Sequence, residues 1–169
     1  MLTRLINFHS LYIQKIDSHC FFCTFIPCSI SMGRAYTYRC DRCGFEDQFN
    51  EGHGFLIHPQ SLHSYLQKRE VLFHHKTHNL LKHLAKQNSQ LFIDAGFKTY
   101  KCPHCRLLYD KVSVTVTDNG KVVHKSEFRC NQCRARLKLT NIHRLKKAVC
   151  PACKKHTFRL DPRKMVLWD

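Results

Sequence analysis

The sequence has no apolar run long enough to cross a lipid bilayer. A spanning helix needs about 20 consecutive apolar residues, and the nearest candidate, Phe21 to Ile30, is short and interrupted by Pro27. Acidic residues are scarce as well, with 12 Asp and Glu against 28 Lys and Arg, for a formal charge of +16. We therefore expect no membrane partner. The charge favours polyanions such as nucleic acid, because Lys and Arg release counterions when they neutralise phosphates.

Motifs for catalysis are also missing. Of thirteen histidines, His74, His75, His78 and His83 cluster on one predicted helix. No glutamate lies between His74 and His78, so the cluster lacks the general base of the His-Glu-x-x-His pattern found in zinc hydrolases. A solvated polar face is the favoured interpretation. The sequence indicates no catalytic residue and no small-molecule substrate, and we expect a protein that is not an enzyme.

Cysteine, by contrast, is abundant and regularly spaced. Ten of the eleven cysteines fall in five Cys-x-x-Cys pairs, a spacing that suits metal chelation better than disulfide bridging and indicates a reducing, cytosolic compartment. Zinc prefers a tetrahedron of thiolates, so four pairs predict two structural zinc ions. Eight thiolates and two zinc ions would lower the formal charge from +16 to about +12. The predicted zinc ligands are Cys40, Cys43, Cys102, Cys105, Cys130, Cys133, Cys150 and Cys153.

The fifth pair, Cys20 and Cys23, is excluded from this set. Five pairs cannot divide evenly into tetrahedral sites, and this pair has bulky Phe inside the turn. It also lies in residues 1–31, where charges are few, whereas they become dense from Arg34 onward. We expect the native protein to begin at Met32 and residues 1–31 to be a non-native or disordered extension.

The sequence leaves open which pairs share an ion. Sixteen residues separate Cys133 from Cys150, a spacing typical of a four-cysteine zinc module, and a sequential arrangement would then join Cys40/Cys43 to Cys102/Cys105. The crossed alternative joins Cys102/Cys105 to Cys130/Cys133, and Cys40/Cys43 to Cys150/Cys153 across the whole chain. We favour the sequential arrangement.

The residue after each pair bears on the turn geometry. Gly44 follows the first pair and tolerates the unusual dihedral angles of a tight turn. The other pairs are followed by Arg106, Arg134 and Lys154, which lack this freedom. Their positive charges would partly offset the doubly negative zinc-thiolate centre.

Local patterns predict short strands, turns and one helical region. The pattern from Tyr36 to Phe49 predicts a strand, a Cys-x-x-Cys-Gly turn and a second strand. Residues 61–88 lack Gly and Pro and carry leucines at spacings of three and four, which favours one or two helices with Ser61 as N-cap. Val112 to Phe128 alternates around Asp118-Asn119-Gly120, the pattern of a β-hairpin. Lys164 to Asp169 predicts a last strand whose Trp168 packs on a zinc module.

Together these elements predict a small, metal-stabilised α+β fold made of zinc-ribbon or rubredoxin-like β-hairpin modules with a helical insertion. After the extension at 1–31, we expect the first zinc knuckles, the insertion at about 61–88 and the hairpin within residues 32–127. Residues 128–169 would form a C-terminal zinc ribbon.

From Met32 on, the chain resembles a family of uncharacterised bacterial zinc-ribbon proteins. The resemblance rests on the Tyr-x-Cys-x-x-Cys-Gly knuckle at Tyr38 to Gly44, the stretch Gly52 to Leu56, the paired knuckles from Cys130 to Cys153, and the ending Trp168-Asp169. It covers nearly all of residues 32–169. It implies zinc binding and no established activity.

Two functions fit these features. The leading hypothesis is a non-enzymatic zinc-ribbon module that binds nucleic acid or a protein partner, because structural zinc leaves basic loops free for contacts. The alternative is a rubredoxin-like protein in which the same cysteines hold iron for electron transfer, since both metals accept tetrahedral thiolates. Basic residues are concentrated between the last two pairs, at Arg134, Arg136, Lys138, Arg144, Lys146 and Lys147.

Overall fold

The structure is a computed structural model and describes residues 33–54, 56–68 and 71–168. Residues 1–31, including Cys20 and Cys23, lie outside the described residues, so the predictions made for them stay predictions. Within those ranges the fold is α+β with antiparallel sheets. In chain order the elements are β1 (Gly33–Cys40), β2 (Glu46–Glu51), β3 (Gln60–Ser61), α1 (Leu62–Gln67), α2 (His75–Gln87), β4 (Phe92–Lys101), β5 (Leu108–Asp118), β6 (Lys121–Lys125), β7 (Lys138–Leu139), a 3₁₀ turn (Ile142–Arg144) and β8 (Phe158–Trp168).

The first sheet joins the two ends of the described chain. Its strand order is β2-β1-β8, and β1 runs antiparallel to both neighbours. The register pairs Gly33 with Trp168 at one end of the sheet and Cys40 with Phe158 at the other. Tyr38 and Phe158 are almost fully buried beneath the sheet, and their rings pack 5.4 Å apart. The burial of these apolar side chains gives this non-local pairing its driving force.

The second sheet is built on the β4–β5 pair. Its order is β3-β4-β5-β6, with β7 also paired to β4. The predicted hairpin is confirmed: β5 and β6 pair at Asp118 and Lys121, and Asn119 and Gly120 between them have φ values of 46° and 80°. Two consecutive residues with positive φ define the turn type that matches the right-handed twist of strands.

The predicted helical region forms two helices that cover the second sheet. Tyr65 of α1 and Leu81 of α2 are buried in one cluster with Ile93, Val114 and Val116 of the sheet. Val114 and Val116 alternate in sequence, so both project to the helix-covered face. Ser61 lies at the N-cap of α1, but its side chain makes no capping hydrogen bond. Among the described residues, no helix is long and apolar enough to cross a membrane.

Backbone and side-chain hydrogen bonds connect the two sheets. Gly52, just after β2, exchanges two backbone hydrogen bonds with Phe97 of β4, at N···O distances of 3.2 and 2.8 Å. Asp110 of β5 accepts from the backbone N–H and the side-chain amide of Asn50, at 3.1 and 2.7 Å. The C-terminal end of β2 therefore fixes the first sheet against the second.

Trp168 packs elsewhere than the sequence predicts. Its indole lies against the backbone of Gly33 and Gly54, where an added Cβ would overlap the ring, and meets Phe97 edge-on with ring centroids 5.4 Å apart. The expectation that Trp168 packs on a zinc module is wrong. The antiparallel register places it opposite Gly33, at the far end of β1 from Cys40.

Candidate metal centres

The eight predicted cysteines gather into two groups of four. The outer group, whose pairs come first and last along the chain, is Cys40, Cys43, Cys150 and Cys153; the inner group is Cys102, Cys105, Cys130 and Cys133. Within each group the four sulfur atoms all lie within 4.8 Å of one another, so each group could hold a metal ion. All eight are free thiols rather than disulfides. That each of these cysteines binds zinc stays a prediction.

The sulfur separations suit a tetrahedral ion. In the outer group, the Sγ atoms of Cys40 and Cys153 are 3.6 Å apart and those of Cys43 and Cys150 are 3.7 Å apart. In the inner group, the corresponding separations are 3.4 Å for Cys102–Cys133 and 4.0 Å for Cys105–Cys130. Zinc–sulfur bonds of about 2.3 Å in a tetrahedron place the sulfurs about 3.8 Å apart. A zinc ion therefore fits either group without a change of fold.

The grouping follows the crossed alternative, so the favoured sequential pairing is wrong. Pairing of β1 with β8 brings Cys40 beside Phe158. The knuckle of Cys150 and Cys153 comes just before β8 in the chain, so the same pairing places it next to Cys40. In the inner group, β4 ends at Lys101, directly before Cys102, and also pairs with β7, which follows Cys133. The short connection from Cys133 to Cys150 favours the sequential pairing only weakly, because each doubling of loop length raises the entropic cost of loop closure by only about 0.6 kcal/mol.

All four knuckles share one hydrogen-bond pattern. The first cysteine of each donates its N–H to the carbonyl oxygen five residues on, at 2.8 or 2.9 Å, and its own carbonyl accepts the N–H of the residue four positions on, at 3.0 Å. The second bond closes a tight turn whose last residue takes a left-handed conformation. The residues at that position are Gly44, Arg106, Arg134 and Lys154, with φ of 73°, 60°, 61° and 58°.

Three of these residues are therefore strained. A side chain in the left-handed region costs roughly 1–2 kcal/mol because its Cβ crowds the backbone. Arg106, Arg134 and Lys154 have this cost, whereas Gly44 avoids it. The sequence suggested that these residues lacked the freedom the turn requires; the structure shows that they adopt the glycine-like conformation all the same.

Each knuckle has a buried and a more open cysteine. The first cysteines, Cys40, Cys102, Cys130 and Cys150, are at most 1% exposed. Of the second cysteines, Cys43 and Cys133 are exposed, and Cys105 and Cys153 are half-buried. The buried cysteines belong to the apolar clusters around Tyr38 and Tyr100, and Cys105 and Cys153 pack against the edges of those clusters.

In the outer group, Thr157 supports the buried sulfur of Cys40. The Thr157 hydroxyl lies 3.1 Å from Cys40 Sγ. This hydrogen bond, helped by the backbone N–H groups of Cys43 and Arg42, lowers the pKa of Cys40 to about 6 against the effect of burial. At Cys43 a bond from the N–H of Phe45 lowers the pKa, but burial and the neighbouring thiols raise it to about 11.

Tyr109 has the same role in the inner group. Its hydroxyl lies 3.1 Å from Cys130 Sγ. Burial raises the pKa of Cys130, but the Tyr109 hydroxyl and the backbone N–H groups of Cys133 and Gln132 outweigh it and bring the pKa to about 6. The neighbouring thiol of Cys133, together with burial, raises the pKa of Cys105 to about 12. Burial also raises the pKa of Tyr109, so its hydroxyl keeps its proton and can donate it to sulfur.

Sequence reasoning missed both hydroxyls, although a positional signal exists. Tyr109 comes four residues after Cys105, and Thr157 comes four residues after Cys153. Tyr109 is the second residue of β5 and Thr157 directly precedes β8, and each reaches across to a buried cysteine of the opposite knuckle. A hydroxyl four positions after a Cys-x-x-Cys pair is thus the feature that could have identified them.

Comparison with known proteins adds no relative. No protein-family model, curated protein or solved structure matches the chain.

The other sequence candidates lie apart from these groups. His75, His78 and His83 lie on α2 and His74 caps it, with the His74 ring accepting the N–H of Lys76 at 3.4 Å. His104 lies inside a knuckle and is exposed. Within the described ranges, no other set of three His, Cys, Asp or Glu side chains has ligand atoms close enough for one ion.

Proposed function

We propose that this chain is a non-enzymatic zinc-ribbon protein in which two structural zinc ions hold a basic surface for binding nucleic acid. The observation that carries the proposal is that each group supplies four thiol ligands, one complete tetrahedron. Zinc bound by four thiolates has no open position for water or substrate. When bound, it supplies cross-links between distant segments of the chain rather than a Lewis acid for catalysis.

The residues around the sulfurs support a structural role. Thr157 and Tyr109 hydrogen-bond the buried sulfurs of Cys40 and Cys130, and such outer contacts orient thiolate ligands and stabilise their charge. The buried sulfurs of Cys40 and Cys150 belong to the same apolar cluster as Tyr38 and Phe158. Metal binding and burial of the core are therefore expected to stabilise the fold together.

Charge distribution supports nucleic acid as the partner. Residues 128–160, which contain the second knuckle of both groups, have ten Lys and Arg and no Asp or Glu. Such a segment attracts phosphate through counterion release without any base-specific motif. A protein partner with an acidic surface is the competing outcome.

Two measurements on the full chain test the proposal. Elemental analysis of purified protein is expected to give two zinc per chain; iron with a red colour would instead support the rubredoxin-like alternative. Fluorescence anisotropy with labelled single-stranded RNA and with duplex DNA, titrated with salt, is expected to show binding whose affinity falls steeply as salt rises. Absence of salt-dependent binding to both probes would contradict nucleic acid as the partner, whatever the metal content.

A further inference from the structure

Positive φ at residues other than glycine is concentrated in the knuckles. Within residues 33–54, 56–68 and 71–168, four such residues occur: Arg106, Asn119, Arg134 and Lys154. Asn119 belongs to the hairpin turn, where Asn is a preferred residue. The other three each follow the second cysteine of a knuckle, and all three are basic.

Glycine would fit this position with less strain, and Gly44 occupies it in the remaining knuckle. A costly conformation retained at three of four equivalent positions calls for a benefit that glycine cannot give. The property that the three side chains share is positive charge.

In the part of the chain that the structure describes, acidic side chains do not take up that charge. Arg39, Arg136, Arg159, Arg163 and Lys164 all pair with carboxylates. Among the described residues, by contrast, Arg106, Arg134 and Lys154 form no ion pair, and all three are exposed. Their charged ends are available to an outside anion.

The three residues lie on connected parts of the structure. Arg106 and Arg134 follow Cys105 and Cys133, whose sulfurs belong to the same inner group. The backbone carbonyl of Arg106 accepts the N–H of Val149 at 3.5 Å, which places the inner knuckle beside the outer knuckle that ends in Lys154. Arg129 adds a fourth cation, since its guanidinium donates to the carbonyl of Arg134 at 3.3 Å.

We propose that Arg106, Arg134 and Lys154 are phosphate contacts, held outward by the left-handed turns of the metal knuckles to bind the backbone of a nucleic acid. This inference rests on the proposed function and names the contact residues. A cation on a turn fixed by a metal centre loses less conformational freedom on binding than one on a mobile loop. The turn thereby presents charge at a defined position, which a glycine could not do.

Substitution of the three cations by glycine separates the effect of their charge on binding from any effect on the stability of the fold. In the triple variant Arg106→Gly, Arg134→Gly, Lys154→Gly the backbone strain is relieved, so the unfolding midpoint is expected to stay the same or rise. With a labelled single-stranded RNA of about 20 nucleotides, each lost phosphate contact is expected to lower the magnitude of the salt slope by about 0.7, or about 2 for the triple variant. At about 0.1 M salt this corresponds to roughly a hundredfold weaker binding.

A matched control removes the same charge elsewhere. The triple variant Lys76→Gln, Lys82→Gln, Lys86→Gln takes three exposed lysines from α2, which lies outside the four knuckles, so near wild-type binding is expected if the knuckle cations are the contacts. A gain variant is also available, because a Cβ at Gly44 meets no atom within 4 Å. Gly44→Lys is expected to tighten binding about fivefold at about 0.1 M salt.

Several results would overturn the inference. The inference fails if the glycine variant keeps the wild-type salt slope. It also fails if the α2 variant loses as much RNA affinity as the glycine variant, or if Gly44→Lys leaves the affinity unchanged. Loss of zinc from the glycine variant would overturn it too, because the cations would then serve the thiolate centres. If the wild-type chain binds neither RNA nor duplex DNA, the proposed function itself fails.

Discussion

At the scale of single residues, one hydroxyl group reaches one of the two buried cysteine sulfurs in each cysteine group. Thr157 and Tyr109 occupy corresponding positions in the two groups, and each lies 3.1 Å from its sulfur. A thiolate in a low-dielectric environment gains more from such a hydrogen bond than an exposed one does. Each hydroxyl lowers the pKa of the buried thiol that it contacts, Cys40 or Cys130, and so favours the thiolate form that a metal ion requires.

Tyr109→Phe tests this role. The substitution keeps the buried ring and removes the hydroxyl, so we expect the pKa of Cys130 to rise and the zinc affinity of the inner group to fall by about 10- to 100-fold. Competition with a chromophoric chelator measures the affinity of each group. Thr157→Val is the matched variant and is expected to weaken the outer group instead. Equal effects of both substitutions on both groups would contradict the assignment.

At the scale of elements, the sequence predicted those strands and turns that are formed by residues close together in the chain. The alternation of Val112, Val114 and Val116 and the Asn119-Gly120 turn were enough for the hairpin, because its strands are adjacent in sequence. The pairing of β1 with β8 was not predictable in this way. It depends on buried contacts between residues more than 100 positions apart, for which no local pattern exists.

Trp168 fixes the end of β8, and this contact gives a prediction at the same scale. Gly54→Ala would place a Cβ in the indole ring at a position with φ of 48°, so both overlap and strain are expected, about 3 kcal/mol of unfolding free energy. Gly44→Ala isolates the strain, because nothing lies within 4 Å of its Cβ, and is expected to cost about 1 kcal/mol. Urea unfolding with saturating zinc measures both. Equal losses would show that the tryptophan contact contributes nothing.

At the scale of the whole molecule, each cysteine group joins segments that are far apart in sequence. The sequence identified the eight cysteines through their spacing, but it left the choice of partners open. Loop-closure entropy varies too slowly with length to decide between the arrangements. The deciding contacts, such as the hydrogen bond from Tyr38 to the carbonyl of Ile142 at 3.0 Å, belong to the folded chain alone.

Two double variants test the grouping in solution. Cys102→Ser with Cys130→Ser removes two ligands from the inner group only, so one cobalt ion is expected to remain per chain. Cys130→Ser with Cys150→Ser removes one ligand from each group, so tetrahedral cobalt–thiolate absorption is expected to be lost. Sequential pairing predicts the reverse: the first variant would lose the cobalt–thiolate absorption, and the second would keep one cobalt ion.

The distance along the chain between cysteines also sets an order in time. The inner group is complete once Cys133 has been synthesised, 31 residues after Cys102, whereas Cys40 waits 113 residues for Cys153. At ribosomal rates of about 5–20 residues per second, this wait lasts roughly 5 to 20 s. Of the eight grouped cysteines, the first two to be synthesised therefore belong to the group that is completed last. Throughout translation Cys40 and Cys43 depend on the surrounding redox environment, rather than on the protein's own fold, to remain reduced.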